Sequence, residues 1–210
     1  MRFDRSYLKE IVLLISFIFL GGCLGTGTQK PTDYYLLQTL NSSAEERGAV
    51  VGEGVVLWVG PVRVRDYLNR PQIVTRTSTN EIKIHEFHYW GEPLNSNFTA
   101  ILAENLSVLL STDRILIFPF RRQQGLPLDY QVTVDVIRFD GEPGVKASLL
   151  AQYYLLKFEG NERKQIVTRQ PSFSKPLADK SFETLVATMS GLVADLSREI
   201  AGEIKAASAR

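Results

Sequence analysis

Apolar positions along the chain follow three different periods. Ile11–Leu20 is an unbroken apolar run behind a short basic stretch carrying Arg2, Arg5 and Lys9. It is too short to cross the ~30 Å hydrocarbon core as a helix and suits the h-region of a secretory signal. Strands are predicted over Asp33–Leu40, rich in aromatic and aliphatic residues, over Val55–Val64, Ile115–Phe120 and Arg163–Phe173, and over Asp129–Phe139, which alternates with a clean period of two. Ile73–Ser78 and Glu81–Phe87 flank Thr79-Asn80 as a hairpin, with Ile82 and Ile84 on one face and Lys83 and His85 on the other. Tyr130, Val132, Val134 and Val136 share a face, whereas Val145–Phe158 is apolar on both faces and predicts a central strand. Gly60-Pro61 predicts a bulge or an edge position, because proline cannot donate to a ladder. Asn41–Gly54 reads as a loop and Gly160-Asn161 as a turn.

Twice the period becomes helical. Phe98, Ile101, Leu102, Leu106, Leu109 and Leu110 predict a helix over Pro93–Leu110 that stops at Ser111-Thr112-Asp113. Ser181–Lys205 is the most regular stretch, its stripe running Phe182, Leu185, Val186, Met189, Leu192, Val193, Leu196, Ile200 and Ile204. Strands followed by a long amphipathic helix, in each half, predict a single α+β domain: a mixed or antiparallel sheet with two amphipathic helices packed on it. The order is that of two similar halves, although no sequence repeat accompanies it.

Leu20-Gly21-Gly22 leads straight into Cys23, the sole cysteine, which therefore cannot be half of an intrachain disulfide. The arrangement resembles the lipobox of bacterial lipoproteins, whose cysteine is diacylated before the signal is cut. The resemblance implies that residues 1–22 are removed, that lipidated Cys23 anchors the chain to a membrane, and that residues 23–32 tether a domain spanning 33–210. Several buried acyl chains, at ~0.8 kcal/mol per CH₂, make such an anchor stable. Leu24 stands where, in enteric-type bacteria, an aspartate favours inner-membrane retention. Its absence implies the outer membrane, lipid-anchored on the periplasmic face.

Charge narrows the partners. Removing Arg2, Arg5 and Lys9 with Asp4 and Glu10 from 24 basic and 23 acidic residues leaves the mature chain neutral. A nucleic-acid binder is expected to carry a basic surplus. No Gly-x-Ser-x-Gly, Walker A or Gly-x-Gly-x-x-Gly motif occurs, and the carboxylates form no evident acid–base pair. His85 and His88, three apart on a predicted strand, should point to opposite faces, wrong for a shared metal. No enzymatic activity, cofactor, metal site or nucleic-acid partner is expected.

The most distinctive stretch is Val59-Gly60-Pro61-Val62, then Tyr67-Leu68-Asn69-Arg70-Pro71-Gln72-Ile73-Val74-Thr75-Arg76, then Trp90-Gly91-Glu92-Pro93-Leu94. With Leu102-Ala103-Glu104-Asn105-Leu106 and the late Met189–Ile200 stretch, it resembles the PqiC-type (YmbA-like) ABC-transport auxiliary lipoproteins. Arg65, Tyr89 and Phe120 depart from that pattern, where proline, arginine and tryptophan are common. The resemblance implies a subunit without ATPase or catalytic chemistry, serving a lipid transport system of an ABC transporter and an MCE-domain protein. A homo-oligomer is part of that expectation.

Tyr67, Arg70, Arg76 and Trp90 are types enriched at interface hot spots, and are the candidate partner contacts. The alternative is that Arg70-Pro71 fixes a turn and Trp90 caps the core. A docking or channel subunit and a stand-alone lipid-binding or structural lipoprotein both remain open at this level. A large apolar cavity under the helices would favour the second.

Overall fold

The stripe Tyr130, Val132, Val134, Val136 forms the inner face of β6 (Tyr130–Glu142), every member of it buried. The computed structural model describes residues 30–40, 55–119, 128–160 and 162–209. The signal and most of the tether, Cys23, the Asn41–Gly54 loop and Phe120 lie outside them.

In chain order the elements are β1 (Asp33–Tyr35), β2 (Leu57–Val64), β3 (Gln72–Arg76), β4 (Ile82–Trp90) and helix α1 (Leu94–Leu110). There follow β5 (Ile115–Ile117), β6, β7 (Lys146–Glu159), β8 (Glu162–Arg169), β9 (Ser172–Pro176) and helix α2 (Phe182–Ser208). They make an α+β domain with two sheets rather than one. The larger runs β5-β2-β6-β7-β8, with β9 also paired to β7; the smaller runs β1-β4-β3. Both are mixed: β2 is parallel to β5 and β6, β1 is parallel to β4, and the other pairs are antiparallel.

Both helices contact the larger sheet, α1 on β2 and β5, α2 on β6, β7 and β9, and they pack on each other. Phe98, Leu102, Leu106, Phe139, Leu149, Tyr153, Leu155, Leu185, Leu192 and Ile200 fill the space between them, each essentially without solvent exposure. Each such side chain contributes roughly 1.5–3 kcal/mol when fully buried. The start of α2 is fixed locally: Ser181 Oγ accepts from the Thr184 amide at 3.1 Å, and Asp179 accepts from the Ser181 amide and the Thr184 hydroxyl. Those bonds hold the Asp179 carboxyl below its usual range. α1 ends on Ser111 in the left-handed region.

Several expectations need correction. Of the two alternatives expected for Gly60-Pro61 the bulge is the one found: the register with β6 shifts between Val59 and Val62, and β2 is interior rather than an edge. Gly60 has φ +110, and a Cβ there would meet that of Phe118 at 2.8 Å, so only glycine fits. The predicted Arg163–Phe173 strand breaks into β8 and β9 around Pro171, and the two pair with successive parts of β7. The first strand stops at Tyr35, and the fifth at Ile117. β7 is central and its alternate residues are buried.

His85 and His88 do not point apart. Between Gln72 and Val74 of β3 the partner positions on β4 jump from Tyr89 to Ile84, an irregularity that breaks the two-residue period. Both imidazoles therefore reach Phe182, His88 stacked at 3.7 Å and His85 edge-on at 4.7 Å. Among the described residues no cluster of three His, Cys, Asp or Glu could hold a metal. No described helix is long and apolar enough to cross a membrane.

Candidate functional site

The Tyr67–Arg76 block joins the two sheets. After β2 the chain turns through Arg65–Asn69, where the Leu68 and Asn69 amides donate to the Arg65 carbonyl at 2.8 and 3.1 Å. Leu68 is buried and pins the turn to the core. The chain then enters β3, where Ile73 and Val74 are buried and Arg76 points towards β6.

Its target is Asp140, a residue that the periodicity of β6 does not flag. The carboxylate is 1% exposed. Arg76 Nε and Nη2 donate to its Oδ2 at 3.1 and 3.0 Å, and the Tyr67 hydroxyl donates to the same oxygen at 3.2 Å. Arg138 Nε donates to Oδ1 at 2.9 Å. Arg76 Nη1 closes on the Thr79 carbonyl across the hairpin, and its guanidinium lies 6.0 Å from the Tyr67 ring centroid. A buried carboxylate is tolerated only when paired and hydrogen-bonded, and here three side chains supply four donors to meet that need. Burial first, then the Asp140 charge, pushes the Tyr67 hydroxyl above its usual pKa. The bond to Asp140 raises that of Arg76 further, so both stay protonated at any physiological pH.

Trp90 is 6% exposed, within the core cluster, and its amide donates to the Pro71 carbonyl at 2.7 Å. Two residues on, Glu92 accepts from Asn97 Nδ2 at 2.7 Å, while Asn97 Oδ1 accepts from the Leu37 amide at 2.8 Å. About two turns further along α1, fully buried Asn105 accepts from the Leu40 amide and donates to Ser197 Oγ of α2. The Trp-x-Glu-Pro-Leu and Leu-Ala-Glu-Asn-Leu segments thus tie the stretch after β1 to both helices. Sequence reasoning did not single out Asn97, Asn105 or Asp140; a lone polar side chain at an apolar-stripe position was the available signal.

Arg70 differs from its neighbours. Its side chain is half-buried, yet its Nε is shut off from solvent with no hydrogen-bond partner among the described residues. Arg63 and Arg65, just before the turn, are exposed. Tyr67, Arg76 and Trp90 are satisfied inside the domain; Arg70 carries an unmet donor beside the surface.

Residues 35–201 match the family model of the ABC-type transport auxiliary lipoprotein component. The chain belongs to this family. It is 24% identical to the intermembrane transport lipoprotein PqiC of Escherichia coli strain K12 over 198 residues, which cover 94% of this chain and 98% of that protein. A solved Xanthomonas campestris protein superposes with a TM-score of 0.67 at 14% identity, over 82% of this chain and 94% of its own. A second solved structure, of an uncharacterized protein, gives 0.65 at 21% identity, over 83% of this chain and 99% of its own. The two structures bear on the fold alone. As an auxiliary lipoprotein of ABC-type transport, the chain is a membrane-associated envelope component from a family that is not one of enzymes.

Proposed function

We propose that this chain is the membrane-anchored, periplasm-facing lipoprotein subunit of an ABC/MCE-type system that moves lipid between the inner and outer membranes. It acts as a docking or channel component and supports envelope integrity. Residues 1–22 are removed as a signal, acylated Cys23 holds the protein in the outer membrane, and the domain begins after a tether of residues 23–32. The protein assembles with copies of itself and with an MCE-domain protein. The observation that carries this reading is the match to PqiC, a transport lipoprotein, along nearly the whole of both chains.

Within that role the turn ending at Arg70 is the contact surface, with Tyr67, Arg76 and Trp90 holding it in shape. Arg70 supports this as a half-buried arginine at the surface whose Nε has no hydrogen-bond partner among the described residues. The stand-alone lipid-binding reading gains no support from the core, which side chains fill. The grooves flanking it are small and rimmed by charge: about 270 Å³ between β8 and the end of α2, and about 360 Å³ beside Asp140.

The test is co-purification of the lipidated protein with the MCE-domain protein from its own envelope, comparing wild type with Arg70→Ala. Truncating an interface arginine commonly costs about 2 kcal/mol, roughly a thirtyfold loss of affinity. Melting should change little, since among the described residues no hydrogen bond or ion pair uses that side chain. Unchanged capture with a lowered melting point would make the turn a structural device only.

A further inference from the structure

The smaller sheet turns one face away from the core, and that face is apolar. Tyr35 of β1 registers with Trp90 of β4 and packs against the core, while Tyr34 registers with Tyr89 on the other side. The Tyr34 and Tyr89 rings lie 5.8 Å apart. Leu36 falls on the same side as Tyr34 and lies against Gly91, where a Cβ would come 3.1 Å from its Cδ2. Tyr34 is 69% exposed, Leu36 46% and Phe87, next to inward-facing His88, 39%. Of the seven exposed large apolar side chains among the described residues, Tyr34, Leu36, Ile84 and Phe87 lie on or beside β1 and β4, a grouping of the kind that marks an interaction surface.

From this we infer that the outer face of β1 and β4, formed by Tyr34, Leu36, Phe87 and Tyr89, rests on the lipid surface of the bilayer that holds the anchor. The inference depends on the acylated Cys23 of the proposed function. Cys23 precedes Asp33 by ten residues, which span at most about 35 Å when extended. β1 is the first described element after Cys23, so an anchor there keeps β1 and its neighbour β4 within that reach of the membrane. Tyrosine suits such a position, its ring entering the acyl boundary while its hydroxyl stays among headgroups. The face also accounts for the composition of Asp33–Leu40, where Tyr35, Leu37 and Leu40 pack on the core while Tyr34 and Leu36 stay exposed.

The sole cysteine makes the test direct, because its sulfur is occupied by lipid and a second cysteine takes a probe alone. The lipidated full chain carrying Tyr34→Cys, Phe87→Cys or, as a control on exposed β8, Arg163→Cys is labelled with bimane. It is then reconstituted into phosphatidylethanolamine/phosphatidylglycerol vesicles with brominated acyl chains. Probes at 34 and 87 should shift to the blue and be quenched at least twofold more than the probe at 163. Equal, water-like spectra at all three sites overturn the inference, and so does a blue shift without bromine quenching, which would mean that protein covers the face. Vesicle flotation reads the anchor separately: protein that floats with water-exposed probes fails the inference alone, and protein that does not float fails both readings.

Discussion

The larger sheet meets α1 and α2 through side chains such as Leu102, Leu106, Tyr153, Leu155, Leu192 and Leu196, buried without interruption. The smaller sheet places Ile73, Val74 and Trp90 in the same core but adds polar ties: Arg76 and Tyr67 to Asp140, and His85 and His88 against Phe182. Apolar burial tolerates exchange of one aliphatic for another of similar volume. A buried carboxylate held by three side chains does not, since loss of one partner strands the others. The difference teaches why the Tyr67–Arg76 block is recognisable. Its residues are specified by hydrogen-bond geometry, whereas a stripe of leucines is specified only by period.

The largest effect should come from the larger sheet. Leu192→Asp places a carboxylate at a fully buried position of α2, and an unpartnered buried charge costs several kcal/mol. Set against the ~5–15 kcal/mol total of a domain, that should leave the variant unfolded or melting far below wild type. A variant that melts normally would mean that α2 is not part of the cooperative core, and the contrast between the sheets would collapse.

Asp140→Asn should come next. It keeps the shape but leaves the Arg76 and Arg138 guanidinium groups without their counter-charge, and breaking a buried pair costs about 3–5 kcal/mol. Denaturant unfolding gives the size, while hydrogen exchange gives the place: amides of β3 and β4 should lose protection while those of β6 and β7 keep theirs. Uniform loss throughout would show that the two sheets unfold as one unit, and that the polar tie is no boundary between them.

How much of this could be read beforehand follows the same division. The stripes of β6 and α2 stood in the sequence because burial on one face imposes a period. The partition into two sheets did not, because period says which face is buried but not which strand lies beside which. β5, β2 and β6 are parallel neighbours far apart in the chain, and nothing local marks such pairings. The break at Pro171 was legible, since a proline inside a strand run signals an interruption. Of the candidate site, Tyr67, Arg76 and Trp90 stood out by type, but their partner Asp140 sits beside Gly141 and reads as turn chemistry. The convergence of the histidines was hidden because it depends on an irregular pairing of β4 with β3, which the run Ile82–Trp90 does not announce.

The smallest effect concerns the contact of the smaller sheet with the start of α2, and pH reads it. His85 Nε2 and Thr75 Oγ1 are 2.7 Å apart, Phe182 covers the ring, and Lys83 and His88 are its nearest cationic neighbours. Burial, then the charges of Lys83 and His88, lowers the His85 pKa from its ordinary 6.5. The unfolded chain takes up a proton near pH 6.5 and the native one only at lower pH. Between those values the unfolded state binds more protons, so stability falls as pH drops, and the slope ends once the native value is passed. His88 lies 3.7 Å from the Asp33 carboxylate, and Glu183 stands near Tyr35; these are the acidic groups beside the same cluster. Urea midpoints at pH 7.5, 6.5 and 5.5 should decline for wild type and decline less for His85→Gln, which keeps a polar group beside Thr75 but cannot titrate. Carboxylate-linked losses, which set in nearer pH 4–5, should be shared by both. Parallel pH profiles would mean that His85 is hydrated in the native state, and that the smaller sheet meets α2 across water rather than through packed rings.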